Sequence, residues 1–289
     1  MKALVTGGAG FIGSHICEHL VKEGHEVVSV DNYVTGKRSN HVEGVAYYEA
    51  DVLDDLDFLV SGVDVIYHNA ASKKTVCLKD PRLDLDTNAK GTFNLLELAV
   101  KHKVKRFVHA STGSVYGEPQ YYPQDEHHPL DPVSYYGVSK LAGERYVNAF
   151  SKLYGLNTTI LRYFHVYGPR QDNSDAGGVV SIFSDRIKRG VPLTVYGTGE
   201  QERSFTYVGD VVKANMVAGP GVYNVASGIE YTLKNLIGLL EHITGLKAKV
   251  EYKDWQVGDV REFQVHSKKI KKLMSFTPFE IGLKRTVYA

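Results

Sequence analysis

Short apolar runs alternate with longer amphipathic segments along the first half of the chain. Segments of helical periodicity lie between most of the runs, as in βαβ units. Parallel neighbours in a sheet need a crossover long enough to hold a helix, so we expect an α/β fold with a doubly wound parallel sheet. The runs are rich in Val, Ile, Tyr and Phe and predict strands at Ala3–Val5, Val27–Val30, Val45–Tyr48, Val63–His68, Phe107–His109 and Thr158–Leu161.

The pattern changes after Tyr167, where the polar, glycine-rich stretch GPRQDNSDAGG begins. A helical run to Arg189 follows, and the later elements are short and irregularly spaced. We therefore expect a main domain at residues 1–167 and a smaller carboxyl-terminal α/β lobe at residues 168–289, with some segments of the lobe returning to the main domain. Open α/β sheets bind ligands outside the carboxyl ends of their strands, so the lobe is expected to supply substrate contacts there.

The composition is that of a folded, soluble protein. The chain has 289 residues, 43% of them hydrophobic and 23% charged, and its net charge of +1 gives no general attraction to nucleic acid or to anionic membranes. The first apolar run is too short for a signal peptide or a membrane span, which predicts a cytoplasmic protein. Cys17 and Cys77 lie far apart without a Cys-x-x-Cys or a histidine cluster, so neither a disulfide framework nor a metal site is expected.

The first predicted strand runs directly into a glycine-rich turn. Gly7, Gly10 and Gly13 are spaced Gly-x-x-Gly-x-x-Gly at the start of a predicted helix over Phe11–Glu23. In such turns the first glycine permits the tight bend, the second lets the backbone approach a pyrophosphate, and the third lets the helix pack on the strand. Free N–H groups at the helix start then hold the phosphates. This order predicts a dinucleotide site in a Rossmann-type domain.

An acidic residue follows where such a site needs one. Asp31 ends the second predicted strand 18 residues after Gly13, and its carboxylate would accept the adenosine ribose hydroxyls and repel a 2′-phosphate, which favours NAD over NADP. Lys37 and Arg38 would suit a phosphate, but they are also ordinary exposed loop charges. Asp51, placed at the end of the third strand, either faces the adenine amino group or caps a helix starting near Asp54.

The segment SYYGVSKLAGERYVNAF has helical periodicity, which places Tyr136 and Lys140 on one face and turns Tyr135 elsewhere. A tyrosine hydroxyl with a pKa of about 10 is a weak base at neutral pH, and an ammonium group one turn away would favour the phenolate. By itself this pair is far more typical of an exposed helix surface than of an active site.

At this point the chain resembles the extended short-chain dehydrogenase/reductase family, in its nucleotide-sugar epimerase and dehydratase branch. The resemblance covers nearly the whole chain, in a fixed order of motifs. They are TGGAGFIG at 6–13, DN at 31–32, DV at 51–52, HNAAS at 68–72, Asn88, STGSVYG at 111–117, YGVSK at 136–140, LRYFHVYGPRQ at 161–171 and GDVR at 258–261.

The resemblance implies NAD as the cofactor and three catalytic residues. Thr112 would bond the sugar oxygen under oxidation, Tyr136 would be the base and Lys140 its activator. Thr112 is expected just beyond the end of a strand, beside the nicotinamide. The implied NAD contacts are Gly7, Gly10, Phe11, Ile12, Gly13, Asp31, Asn32, Asp51, Val52, Ala70, Ala71, Asn88, Tyr136, Lys140 and Tyr163. The implied UDP-sugar contacts are Ser114, His165, Val179, Tyr196, Arg203, Arg261 and Phe263.

The residues after Thr112 favour an epimerase within this branch. Dehydratases of the family carry acidic residues there, whereas this chain has Gly113 and Ser114, neither of which can protonate a leaving hydroxide. Reversible oxidation needs only one base and one hydride acceptor. For an epimerase, the resemblance implies C4 epimerisation of a UDP-hexose, as between UDP-glucose and UDP-galactose, through a keto sugar that turns over before hydride returns.

Several substrate-side positions keep two interpretations. Arg203 and Arg261 either bind the diphosphate or form salt bridges with Asp210 or Asp259. Tyr196 packs on the base or lies in the core, and Phe263 either walls the sugar pocket and excludes an N-acetyl group or faces away from it. Two positions depart from the family pattern: His165 replaces an asparagine, and Gln256 replaces an arginine.

Three functions remain open: an epimerase acting on this or another nucleotide sugar, a sugar dehydrogenase or reductase that exchanges its cofactor at each turnover, and a protein that senses NAD. The intact Thr112, Tyr136 and Lys140 set disfavours a sensor. A homodimer is also expected, because the predicted helix over Gly137–Tyr154 has apolar residues on more than one face. They are Val138, Leu141, Val147, Phe150 and Leu153. Relatives pair through this helix and the one near Thr92–Val100.

Overall fold

The computed structural model describes residues 1–72, 77–174, 177–255 and 264–289, which form two compact units. Residues 118–128 and 163–167 belong to the second unit, although we expected them in the main domain. The first unit comprises Met1–Gly117, Pro129–Arg162 and Val212–Tyr223; the second comprises Glu118–His128, Tyr163–Val211 and Asn224–Ala289.

A seven-stranded sheet organises the first unit. The strands are β1 (Lys2–Thr6), β2 (Glu26–Asp31), β3 (Val45–Glu49), β4 (Val65–His68), β5 (Arg106–Thr112), β6 (Thr158–Tyr163) and β11 (Gly221–Val225). Their order across the sheet is β3-β2-β1-β4-β5-β6-β11. The pairs β1–β2, β1–β4, β2–β3 and β4–β5 are parallel, which confirms the expected doubly wound α/β class.

The strand ends differ by a few residues from the sequence-based expectation, and three of the differences concern predicted site residues or the start of β4. β4 begins at Val65 rather than Val63, because Val63 still belongs to the turn that leads into the strand. β3 ends at Glu49, so Asp51 follows the strand instead of ending it. β5 continues through buried Ala110 and Ser111 to Thr112, which is therefore the last strand residue and does not lie beyond the strand.

The helices of this unit are α1 (Phe11–Lys22), α2 (Asp57–Val60), α3 (Pro81–Leu85), α4 (Gly91–Lys101) and α5 (Tyr135–Tyr154), with a π-helical turn at Asp86–Lys90. The helix expected near Asp54 begins only at Asp57. The Ser134 side chain caps α5 by accepting a hydrogen bond from the Gly137 N–H, and Gly155, with φ of +69°, ends that helix in the left-handed conformation.

The second unit contains shorter elements. Its helices are α6 (Val179–Lys188), α8 (Leu233–Thr244), α9 (Lys268–Lys271) and α10 (Phe279–Val287), and α7 (Val208–Val217) crosses into the first unit. Three strand pairs complete it: parallel β7 (Val166–Tyr167) with β10 (Thr206–Tyr207), parallel β8 (Leu193–Tyr196) with β13 (Val250–Lys253), and antiparallel β9 (Glu202–Ser204) with β12 (Glu230–Thr232).

Each unit has its own hydrophobic core. In the first, aliphatic side chains from β1, β2 and β4 pack against α4 and α5, as at Leu4, Ile66, Leu95 and Val147. In the second, an aromatic cluster with Phe205 and Phe279 stacked 5.0 Å apart lies among leucines of α8. Across the described ranges, no helix is long and apolar enough to span a bilayer.

Candidate active site

Between β1 and the first turn of α1, the positions of Gly7 and Gly13 have no room for a side chain. A Cβ at Gly13 would lie 2.2 Å from the Gly7 carbonyl oxygen, and one at Gly7 would lie 2.9 Å from the Ala70 backbone nitrogen. Gly7 also has φ of +70°, which glycine adopts without strain. The exposed backbone and the start of α1 therefore form a narrow cradle that suits a pyrophosphate. Phe11 and Ile12, the first two residues of α1, are half-buried beside it.

Asp31 is held rigidly at the end of β2. Its carboxylate is 7% exposed and accepts hydrogen bonds from the Ala9 N–H at 3.0 Å and the Tyr33 N–H at 2.9 Å. Gly36 packs so closely that a Cβ there would lie 2.5 Å from the carboxylate. A carboxylate has acceptor sites beyond these two bonds, so Asp31 fits the ribose of NAD.

Arg38 is already engaged with other groups. Its guanidinium forms an ion pair with Glu49 at 2.6 Å and lies 4.6 Å from the centre of the Tyr33 ring. Both side chains of the ion pair are largely exposed, so the structure favours the interpretation of Arg38 as a surface loop charge.

Asp51 caps a turn rather than a helix. One carboxylate oxygen accepts the Leu53 N–H at 3.0 Å, and the other accepts the Asn32 side-chain amide at 2.6 Å. The neighbouring Val52 is buried and contacts Gly91, where a Cβ would lie 2.4 Å from it. The motifs DN and DV, both predicted to contact NAD, are thus joined by the hydrogen bond between the Asn32 and Asp51 side chains.

Asn88 ties the loop after β4 to helix α5. Its amide oxygen accepts the Ser72 N–H at 3.0 Å, and its amide nitrogen donates to Asp84 and to the Ser139 hydroxyl, both at 3.0 Å. Ser139 in turn donates to the Tyr136 carbonyl at 3.1 Å. The loop with half-buried Ala70 and Ala71 is therefore linked to the first turn of α5.

The structure brings Thr112 and Tyr136 together. Their side chains share a hydrogen bond, although Thr112 ends β5 and Tyr136 begins α5. Burial raises the pKa of Tyr136 to about 12, and the bond to Thr112 acts in the opposite direction. Tyr135 is 61% exposed and points elsewhere, as the helical spacing predicted. Ser114 lies in the adjoining turn and donates its N–H to the Thr112 hydroxyl at 3.1 Å.

Lys140 is buried one turn further along α5. Burial lowers the pKa of its ammonium group to about 8, and the carboxylates of Glu144 and Asp84 oppose that shift. We expected Lys140 to lower the pKa of Tyr136, yet burial dominates and the pKa of Tyr136 is raised. In the protein by itself, burial therefore leaves Tyr136 as a protonated hydroxyl at neutral pH.

A buried ion pair lies next to this set and was not found from the sequence. Arg162 on β6 donates from Nε and Nη2 to the two carboxylate oxygens of Glu144 at 2.9 and 2.7 Å, and from Nη1 to the Tyr116 hydroxyl at 2.8 Å. Ser111, which precedes Thr112, donates to the same carboxylate at 2.5 Å. No local pattern indicates this set, because its members come from three separate segments.

The predicted residues of the second unit lie on different elements. Tyr163 is the buried last residue of β6, and His165 has φ of +37°, in the left-handed region that asparagine and histidine enter more readily than other residues. Arg203 on β9 donates to the Glu202 carbonyl, and Asp210 accepts hydrogen bonds from the N–H and the hydroxyl of Thr277. Val179 begins α6 and Tyr196 ends β8, and both are half-buried.

Three predicted positions lie outside the described residues: Gln256, Arg261 and Phe263, together with the motif GDVR. Among the described residues, Cys17 and Cys77 are buried and form no disulfide bond, and no group of three or more His, Cys, Asp or Glu side chains is placed to hold a metal ion.

Comparison with known proteins gives a consistent result. A family model described as the NAD dependent epimerase/dehydratase family matches residues 3–231. The UDP-glucose 4-epimerase of Mycolicibacterium smegmatis is 35% identical over 96% of this chain and 94% of its own length.

Solved structures match over the whole chain. A UDP-glucose 4-epimerase of Thermotoga maritima with UDP-glucose is 38% identical, with a TM-score of 0.96 over 100% of this chain and 98% of that one. A UDP-N-acetylglucosamine 4-epimerase of Methanobrevibacter ruminantium, in complex with UDP-N-acetylmuramic acid, is 32% identical, with a TM-score of 0.94 over 99% of this chain and 97% of that one.

Replacing Asp31 by Ala is expected to weaken NAD binding about tenfold or more and to reduce the preference for NAD over NADP. The reason is that the carboxylate that accepts the ribose hydroxyls also repels the 2′-phosphate of NADP, and both effects are lost together. The dissociation constants of both cofactors for the apoprotein, measured by calorimetry, test this. Exposed Glu43→Ala is the matched control and should bind as the parent does. An unchanged cofactor preference in Asp31→Ala would contradict the assignment.

Proposed function

Because this chain belongs to the NAD-dependent epimerase/dehydratase family, we propose that it epimerises a UDP-hexose at C4, interconverting UDP-glucose and UDP-galactose. One observation carries the proposal: Thr112 and Tyr136 share a hydrogen bond, and buried Lys140 lies one helical turn from Tyr136. The two residues directly after Thr112 are not acidic, which favours an epimerase over a dehydratase. The relatives named UDP-glucose 4-epimerase support the choice of sugar.

In the proposed mechanism, Tyr136 reacts as its phenolate, whose oxygen takes the proton of the C4 hydroxyl and returns it after the keto sugar has turned over, so that the phenolate is regenerated. Thr112 holds the same sugar oxygen by its hydroxyl. Lys140 keeps its positive charge near neutral pH because the carboxylates of Glu144 and Asp84 raise the pKa of its ammonium group. That charge lies one helical turn from Tyr136 and favours the phenolate. Bound NAD supplies the hydride acceptor and, when oxidised, a fixed positive charge that lowers the pKa of a nearby tyrosine.

Elimination of water is disfavoured by the turn after β5. Gly113 has no side chain, and Ser114 carries a hydroxyl that accepts from Thr112 at 3.3 Å and cannot act as an acid at neutral pH. A dehydratase would need a proton donor at this place for the departing hydroxide. A reaction that only removes and returns hydride needs none.

The second candidate is epimerisation of another nucleotide sugar. The Methanobrevibacter enzyme, named for UDP-N-acetylglucosamine, shows that a chain of this fold and similar sequence accommodates a larger sugar. Histidine at position 165 and glutamine at position 256 also depart from the family pattern on the substrate side. Phe263 as a pocket wall and Arg203 and Arg261 as diphosphate ligands remain predictions.

The test of the proposed function is a panel of UDP-hexoses, UDP-N-acetylhexosamines and UDP-uronic acids, with products identified by NMR. We expect UDP-glucose and UDP-galactose to interconvert with the highest kcat/KM, with bound NAD retained and no net NADH formed. Net NADH production would instead identify a dehydrogenase. A higher kcat/KM for another UDP-sugar would identify that sugar as the preferred substrate, and the reaction would still be an epimerisation.

Replacing Tyr136 by Phe is expected to reduce kcat by about a hundredfold or more, because only the proton-transferring hydroxyl is removed. NAD content per chain should be unchanged. Tyr135→Phe removes the same hydroxyl from the exposed neighbouring side chain and should keep the parent kcat. If the two variants had similar activity, the assignment of Tyr136 as the base would be wrong.

We also infer a homodimer in the cytoplasm. Helix α5 buries Val147 and Phe150 in its own unit yet leaves Val138 53% and Leu153 74% exposed, so a second apolar face is open to a partner copy. Light scattering at micromolar concentration should give a dimer mass. Val138→Glu should shift it towards the monomer, whereas Val34→Glu, at a loop position 65% exposed, should not. A monomeric parent protein would contradict the inference.

A further inference from the structure

Two buried histidines lie next to each other on the neighbouring strands β4 and β5. His68 ends β4 and is paired in register with His109 on β5, their ring centres are 5.4 Å apart, and both are 0% exposed. Their surroundings differ in one respect. Both ring nitrogens of His68 are hydrogen-bonded, whereas within the described residues neither ring nitrogen of His109 has a hydrogen-bond partner.

The bonds around His68 determine its proton position. The Thr92 hydroxyl donates its single proton to the Asn88 carbonyl at 2.7 Å, so towards His68 Nε2, at 2.9 Å, it can only accept. Nε2 therefore carries a proton. Burial, with a smaller effect of the Lys140 charge, lowers the pKa of His68 to about 3, so the ring is neutral and Nδ1 is bare. Nδ1 then accepts from the Thr6 hydroxyl at 2.8 Å.

These bonds form one chain with a single direction. The Ala70 N–H donates to Thr6 at 3.2 Å, Thr6 to His68, His68 to Thr92, and Thr92 to the Asn88 carbonyl. Hydrogen bonds aligned in this way polarise and strengthen one another in a buried setting. The chain begins in the loop after β4 and ends in the π-helical turn, the two segments in which Ala70 and Asn88 are the proposed NAD contacts.

We propose that His68 is a positioning residue of the NAD site, a neutral imidazole protonated on Nε2 that holds the Ala70 loop and the Asn88 turn in register. His68 does not touch the reacting atoms; it acts through Thr6 and Thr92. The inference rests on the proposed function only in placing NAD beside Ala70 and Asn88, and it is independent of the sugar.

The first test compares His68→Leu with His109→Leu, which remove the same ring from neighbouring buried positions. The dissociation constant of NAD for the apoprotein should rise about tenfold in His68→Leu, which loses two hydrogen bonds. It should stay within about twofold in His109→Leu. His68→Gln, which keeps one acceptor and one donor, should recover most of the affinity. An equal change in both leucine variants, or a lower melting temperature of His68→Leu with unchanged NAD affinity, would overturn the proposal.

The second test uses coupling along the chain. Thr92→Val keeps the shape of Thr92 and removes its hydroxyl, so it should weaken NAD binding in the parent. Thr92→Val should have little further effect on NAD affinity in the His68→Leu background, because the series of hydrogen bonds is already interrupted at His68. Additive effects of the two substitutions on NAD affinity would show that Thr92 and His68 do not act through the same series of hydrogen bonds.

The third test needs no substitution, and it decides the matter if His68→Leu fails to fold. In protein labelled with ¹⁵N at histidine, His68 should show a protonated Nε2 and a bare Nδ1, unchanged between about pH 5 and 9. A proton on Nδ1, or titration in that range, would refute the proposal. Asp31→Ala separates this result from the cofactor assignment: if it weakens NAD binding and His68→Leu does not, only the role of His68 is wrong.

Discussion

Parallel pairing of β1 with β2 on one side and with β4 on the other is the constraint on which the site depends. In this register Thr6 lies opposite Val30 and His68, so the three strands end at the same level. The chain segments that leave them, at Gly7, Asp31 and Ala70, therefore emerge at one edge of the sheet. The approach of these segments is so close that a side chain at position 7 would meet the backbone of Ala70.

Burial governs the chemistry of the groups at that edge. Tyr136 and Lys140 are displaced in opposite directions, the tyrosine pKa upward and the lysine pKa downward, because both neutral forms are favoured away from water. The buried Glu144–Arg162 pair lies beside them, and Glu144 counters part of the shift at Lys140. Such a pair is strongly destabilising to break on one side, since it leaves a buried charge uncompensated. The site thus contains a buried Lys140 and, beside it, a buried carboxylate that is paired with a guanidinium.

Several buried neutral polar groups are also paired with partners, in their case through hydrogen bonds. The Asn88 amide and the His68 ring are fully buried, and each is satisfied by partners from several elements. Buried polar groups of this kind are costly when unpaired, so their networks hold the surrounding loops in one arrangement. His109 is one of the exceptions among the described residues, and it shows that burial of a histidine does not by itself create a hydrogen-bonded role.

The sequence by itself determined the alternation of strands and helices, the glycine cradle, the acid at Asp31 and the pairing of Tyr136 with Lys140. Each of these depends on residues close together in the chain, where periodicity and spacing fix the geometry. Only the tertiary structure decided that Thr112 meets Tyr136, that burial raises the tyrosine pKa, and that His68 joins segments 62 and 24 residues away. Strand pairing brings such distant residues together, and burial arises only when whole elements pack, so no local pattern encodes either.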